Sequence, residues 1–155
     1  MKIAIDADGN GFSLKIEIFN FIRALGYHIE DLAYLEKYKD KDYPDVAYNL
    51  AKKIQNKEFD KGILICGTGL GMAIVANKLP GVYAGACNDV YAAERLQKSN
   101  NAQIITLGSK IIGEESAKVI IEVFVKSNFQ RGRSLPKFNR IQEIEKNILS
   151  EENNS

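Results

Sequence analysis

Histidine is almost missing from this chain, cysteine is scarce, and no long apolar run interrupts it. Among 155 residues one is histidine and two are cysteine, while 21 Lys and Arg against 20 Asp and Glu leave a net charge of +1. Each scarcity excludes something. Cys66 and Cys87 form neither a disulfide framework nor a zinc-binding pattern. Balanced charge provides no global attraction to nucleic acid or to an anionic membrane. No stretch approaches the ~20 apolar residues that span a bilayer. The opening MKIAIDADGNG turns polar at Asp6, unlike a secretory leader. The expectation is a cytoplasmic protein with neither nucleic acid nor membrane as a partner. A composition 45% hydrophobic and 26% charged is that of a globular domain.

What is present is an alternation of short apolar runs with helical patterns. Strands are expected at Lys2–Ile5, His28–Leu32, Lys61–Cys66, Val82–Ala86 and Gln103–Leu107. Helices are expected over Phe12–Leu25, where Phe12, Ile16, Phe19 or Asn20, and Arg23 recur once per turn before the stop at Gly26. Others run from Pro44 to about Asn56, after the glycines to about Lys78, and over Asp89–Lys98 and Glu114–Lys126. Between His28–Leu32 and Pro44 lies a polar, tyrosine-rich loop. A basic loop, QRGRSLPK, precedes a last amphipathic helix that ends at Ile148. Residues 1–149 read as one domain and 150–155 as a frayed tail. The alternation predicts an α/β fold with a five-stranded parallel sheet covered on both faces.

In such sheets, ligands bind beyond the carboxyl ends of the strands. DADGNG, CGTGLG, CNDVY and GSKIIG all leave strands on that side, which gathers Asp8, Cys66, Asn88 and Lys110 on one rim. In ILICGTGLGMA, Gly67, Gly69 and Gly71 alternate, so that successive amides can face one concavity and take up negative charge. No Gly-Lys-Ser/Thr follows, and Met72 replaces a dinucleotide-binding glycine. The alternative is a tight turn that merely requires glycine. Cys66, at a strand end before these amides, is a candidate thiolate acting as nucleophile or base; Cys87 reads as core. His28 begins a strand, on the order of 15 Å from Cys66 at ~3.3 Å per residue. A thiolate without an imidazole suits proton abstraction beside a carbonyl, with the amides holding the developing enediolate.

The stretches DADGNGFSLK, DYPD, GILICGTGLGMAIVANKLPGV, SNNAQIITLGSKIIG and RGRS resemble the ribose-5-phosphate isomerase B family, which also contains the two galactose-6-phosphate isomerase subunits. The likeness runs from Lys2 to about Ile144. It implies a Rossmann-like three-layer α/β/α sandwich and a homodimer with composite sites. It also implies aldose–ketose isomerisation of a phosphorylated sugar, of the ribose 5-phosphate/ribulose 5-phosphate type, with neither metal nor cofactor. By the same likeness Cys66 is the base, and Gly67 to Gly71, with Thr68, surround the enediolate oxygens. Asp8, Gly9 and Asn100 touch the sugar, Ser99 stands at the ring-opening position, and Arg133 and Lys137, with Lys110 nearby, hold the phosphate.

Departures accompany the likeness. The family usually carries histidine where this chain has Gly9, Ser99 and Ser134. Serine is a poor proton shuttle, so the ring-opening step loses its group, and lysine at position 137 replaces a two-pronged arginine by a point charge. Three readings follow: a homodimeric sugar-phosphate isomerase with altered ring opening, a galactose-6-phosphate isomerase-like subunit that needs a partner chain, or a non-catalytic phosphosugar-binding protein.

Overall fold

Parallel strands require crossovers, and the order of elements supplies them. A computed structural model describes residues 1–155. The strands are β1 (Lys2–Ala7), β2 (His28–Asp31), β3 (Lys61–Cys66), β4 (Ala84–Ala86) and β5 (Ile104–Gly108). Their order in the sheet is β2-β1-β3-β5-β4, and every pairing is parallel. The helices are α1 (Phe12–Ala24), α2 (Tyr34–Lys37), α3 (Tyr43–Gln55), α4 (Leu70–Ala76), α5 (Val90–Lys98), α6 (Glu114–Lys126) and α7 (Arg131–Asn153). None is long and apolar enough to cross a membrane.

Side chains alternate along the strands, so the sheet has a core on each face. Ile3, Ile5, Ile63, Ile65, Ile105 and Leu107 pack against Leu14, Ile18 and Ile22 of α1 and Ile121 and Phe124 of α6. Ala4, Leu64, Cys66 and Ile104 face the other way, onto Val46 and Leu50 of α3 and Met72 and Ala76 of α4. The three-layer sandwich is thus the expected one. The central strand β3 is buried along its whole length, starting at Lys61. That buried amine donates to the carbonyls of Phe124, Val125 and Ser127 at 3.0, 2.9 and 2.7 Å, closing the end of α6. Burial pushes Lys61 down to about 8.

Four details differ from the sequence pattern. In α1 the inward stripe is Leu14, Ile18 and Ile22, while Phe12 and Ile16 are exposed. Gly11 sets that rotation, because a Cβ there would lie 2.3 Å from the Ile65 carbonyl oxygen. The tyrosine-rich loop contains the single helical turn α2, entered through Ala33 at φ 48°. β4 begins at Ala84 instead of Val82 because the Val82 N–H goes to the Leu79 carbonyl at 3.1 Å and the Tyr83 N–H to the Gln103 side chain at 2.9 Å; on the outer edge the Asn77 side chain accepts the Ala84 N–H at 2.9 Å and donates to its carbonyl at 2.8 Å. It thereby covers the sheet edge in place of a further strand. The basic stretch expected as a loop forms the start of α7, bent at the non-helical Gly132, and the helix continues past Ile148 to Asn153. Pro136 fits this first stretch, where amides have no helical acceptor to lose.

The chain passes from β1 outward to β2, then returns to the other side of β1 as β3. Crevices open at such a switch beyond the carboxyl ends of the strands. Asp8 follows β1 and Cys66 ends β3.

Candidate active site

β3 ends at Cys66, and the turn after it is clamped onto β5. Thr106 Oγ1 donates to the Gly69 carbonyl at 2.6 Å. Gly69 has φ 78°, and a Cβ on it would meet Leu107 backbone atoms at 2.9–3.1 Å. Gly108 is equally tight, with Thr68 backbone atoms 2.8 Å from its would-be Cβ. A Cβ on Gly71 would overlap the Tyr43 ring at 2.4 Å. Gly69 and Gly71 are therefore required by packing as well as by any ligand. Gly67 differs, since its nearest neighbours would be Lys110 Cδ at 3.6 Å and Asn10 Nδ2 at 3.8 Å.

Cys66 is 6% exposed, and its sulfur accepts the Gly69 N–H at 3.0 Å. The Thr68 hydroxyl accepts the Leu70 N–H at 3.3 Å. Neither the backbone nor the side-chain bonds of the chain occupy the amides of Gly67, Thr68, Gly71 and Met72. Four donors without an acceptor beside a thiol suit an oxygen that gains negative charge. Cys87 lies in the other core, and burial, reinforced by Asp89, pushes its thiol up to about 11. It is a core residue, as expected.

Asp8 joins this rim through backbone bonds. Its N–H donates to the Ile65 carbonyl at 3.2 Å, and its Oδ1 accepts the Gly11 N–H at 3.0 Å. Ser109 N–H donates to the Cys66 carbonyl at 2.8 Å, Lys110 N–H to Gly67 at 3.0 Å, and Ser109 Oγ to the Asn10 carbonyl at 2.8 Å. Asp8, Gly9, Cys66, Gly67, Thr68, Gly69, Gly71 and Lys110 are thus gathered around one opening. Asn88 leaves β4 on the same side but lines a separate hollow with Glu115 and Ser116.

The remaining expected residues lie elsewhere in the chain. α5 runs back from the carboxyl end of β4, so Ser99 and Asn100 emerge near the amino end of β5, where Ile104 pairs with Gly62. Four steps of β3 separate Gly62 from Cys66, on the order of 13 Å at ~3.3 Å each. Gln130 N–H donates to the Lys98 carbonyl at 2.9 Å, which brings Arg133 and Lys137 to this same end. Phe138 packs edge-on against Tyr83, with ring centres 5.5 Å apart. Glu145 accepts the Tyr83 hydroxyl at 3.0 Å, and burial together with that carboxylate pushes Tyr83 up to about 12. Within one chain, therefore, Lys110 stands at the opposite end of the sheet from Arg133 and Lys137. The crossover helices run antiparallel to the strands and carry the two sets to opposite ends of the sheet. His28, at the start of β2, also lies at the amino end, as expected.

Three participants escaped the sequence pattern. Asn10 faces Gly67, and Tyr43 lies over Gly71. Asp6 is buried on β1 with its Oδ1 3.8 Å from Lys15 Nζ; burial pushes its carboxyl up to about 6, against the lowering effect of the Ala7 and Tyr34 amides and of Lys15. The signal for Asp6 was a carboxylate directly after the apolar run Ile3–Ile5.

With this geometry in hand, the chain was compared with known proteins. The Ribose/Galactose Isomerase family pattern matches residues 3–143. A D-erythrulose-4-phosphate isomerase from Pectobacterium atrosepticum is 45% identical over 91% of this chain and 93% of its own. A ribose-5-phosphate isomerase B from Listeria innocua is 40% identical over 94% and 97%. Among solved structures, a ribose-5-phosphate isomerase B from Clostridium thermocellum superimposes with a TM-score of 0.87 at 38% identity, covering 96% of this chain and 99% of the other.

Proposed function

The chain belongs to the ribose/galactose isomerase family, and from that premise we propose that it interconverts the aldose and ketose forms of an open-chain sugar phosphate, a tetrose 4-phosphate in preference to ribose 5-phosphate. It is a sugar-phosphate isomerase of the ribose-5-phosphate isomerase B type. The choice of substrate is carried by one observation. Position 99 holds serine, and the only imidazole, His28, begins the edge strand β2, three strands across the sheet from β5 and on the order of 14 Å from it at ~4.8 Å per strand, so no histidine stands at the ring-opening position. The 45% identity to an isomerase of erythrulose 4-phosphate supports the same reading.

In this mechanism Cys66, as the thiolate, removes the proton from the carbon beside the carbonyl. The electron pair moves onto the carbonyl oxygen, and the amides of Gly67, Thr68 and Gly71 receive that charge. The thiol then returns the proton to the neighbouring carbon while the hydroxyl proton shifts between the two oxygens. Asp8 and Gly9 border the sugar. Two copies of the chain form each site: the first provides Cys66, and the second brings Ser99, Asn100, Arg133 and Lys137 from its amino-end cluster. That arrangement explains why one chain keeps the two halves apart. The cytoplasm, where sugar phosphates are held, is the compartment that suits this substrate.

The test is to purify the chain alone and follow ketose formation from tetrose 4-, pentose 5- and hexose 6-phosphates. The highest kcat/KM is expected for a tetrose 4-phosphate. Faster turnover of ribose 5-phosphate would overturn the substrate choice, and turnover only with a co-expressed paralogue would replace the homodimer by a two-chain enzyme.

A further inference from the structure

We propose that Lys15 is a positioning residue that latches the connection between β2 and α3 over the cleft beside Asp8; the inference rests on the isomerase reading of that cleft. Lys15 sits on α1, is 2% exposed, and has no part in the chemistry described above. Its Nζ lies 3.0 Å from Asp31 Oδ1, 3.8 Å from Asp6 Oδ1 and 3.8 Å from Glu36 Oε1. Each of those carboxylates holds, or belongs to, the connecting strap. Asp31 Oδ1 accepts the Ala33 N–H at 3.0 Å, and Asp6 Oδ2 accepts the Tyr34 N–H at 3.1 Å. Glu36 is part of α2 itself.

The strap needs such fastening. Ala33 is held at φ 48°, a left-handed conformation that a non-glycine residue adopts only when its surroundings impose it. With Lys15 neutralised, Asp31 and Glu36 lose the ammonium that bridges them and Asp6 loses its cationic neighbour, so the strap loses its fastening to α1. The strap in turn forms a wall of the site. A cleft of about 390 Å³ lies between Asp8, Gly9 and Phe12 on one side and Leu35, Glu36 and Lys39 on the other. A Cβ on Gly9 would meet nothing within 4 Å, so the cleft is open beside the Asp8 turn and the strap is its facing wall within the chain. One ammonium thus sets the distance between the sugar-contacting turn and its cover.

The test combines kinetics with amide exchange. Lys15→Met should raise KM for a tetrose 4-phosphate about tenfold, with kcat within about threefold of wild type. It should also lower the exchange protection of the Ala33 and Tyr34 amides about tenfold. Lys15→Arg, which keeps the charge, should restore both. Glu36→Gln cuts only the strap's own exposed carboxylate, leaves the core intact, and should shift KM and protection the same way by a smaller factor. Unchanged protection in Lys15→Met and Glu36→Gln would overturn the latch, and lost protection with unchanged KM would overturn its positioning role. If wild type turns over no sugar phosphate, the isomerase reading fails, while amide exchange still decides whether Lys15 fastens the strap.

Discussion

The sulfur of Cys66 and the amide of Gly69 form one unit, with the N–H pointing at the sulfur across 3.0 Å. The contact exists because the chain turns left-handed at Gly69 and is pressed onto Leu107 of β5. Packing of this turn against β5 thus fixes where the thiol stands.

Cys66→Ala should lower kcat by about a thousandfold or more with a melting temperature near that of wild type, because proton removal belongs to the transition state alone. KM should change far less. A variant that retains a tenth of wild-type kcat would remove Cys66 from the role of base.

The three glycines should separate by substitution. Gly69→Ala combines positive φ with contact against the Leu107 backbone, so it should destabilise the fold by about 2–4 kcal/mol. Gly67→Ala meets nothing closer than 3.6 Å and should leave thermal unfolding nearly unchanged. Its methyl group faces Lys110 and Asn10, so activity should fall instead. Thermal melts and turnover of both variants decide the assignment.

Asp6 makes stability depend on pH with a definite sign. Its folded carboxyl titrates at about 6 against an ordinary 3.8, so the folded chain holds this proton more tightly than the unfolded chain. Stability from this group is complete below about pH 4 and is lost as pH rises through 6, by up to about 3 kcal/mol. Asp6→Asn should remove that slope. Unfolding midpoints of both proteins from pH 4 to 7 provide the measurement, and parallel curves would contradict the assignment.

These cases show what was legible in the sequence. A strand that ends in cysteine and three alternate glycines announces its own turn, because only glycine tolerates φ 78° against a neighbouring strand. Asp6 read as the start of a turn, since a carboxylate in an apolar strand has no local partner. Its partners, Lys15 and the Tyr34 amide, are brought to it only by tertiary structure. Lys15 falls outside the once-per-turn set read for its helix, and a lysine carries no local signal of being 2% exposed. Parallel topology, which correctly put His28 at the amino end, also puts Ser99 there. The separation of Arg133 and Lys137 from Lys110 depends on where α7 docks, which no local pattern encodes.

The proposed two-chain site makes a quantitative claim about mixtures. Arg133→Ala alone should raise KM about tenfold or more, the loss of one charge-assisted contact, whereas Arg131→Ala should be near neutral. Cys66→Ala and Arg133→Ala damage different halves of the pocket. Refolded together in equal amounts, half the dimers would carry both lesions in one site and none in the other. Assayed at substrate well below the wild-type KM, the mixture should then recover about a quarter of wild-type activity, against about a tenth for Arg133→Ala alone. No recovery above the unmixed variants would place each pocket within a single chain.

The proposed preference for a tetrose phosphate turns on Ser99. Ribose 5-phosphate closes into a ring through a free hydroxyl, so an enzyme that cannot open the ring must wait for the scarce open form, and its apparent affinity drops by that fraction. A tetrose 4-phosphate carries phosphate on the oxygen that would close a five-membered ring, so it needs no opening group. Serine, which titrates far above neutrality, cannot replace an imidazole as proton shuttle. Ser99→His should therefore raise kcat/KM for ribose 5-phosphate about tenfold, within the range that a positioned acid–base group contributes. The same change should leave the tetrose phosphate within about twofold, because its reaction never uses that group. Both substrates measured with both proteins make the comparison. If wild type already turns over ribose 5-phosphate faster than the tetrose phosphate, and histidine moves neither rate, another group opens the ring and Ser99 does not set the substrate.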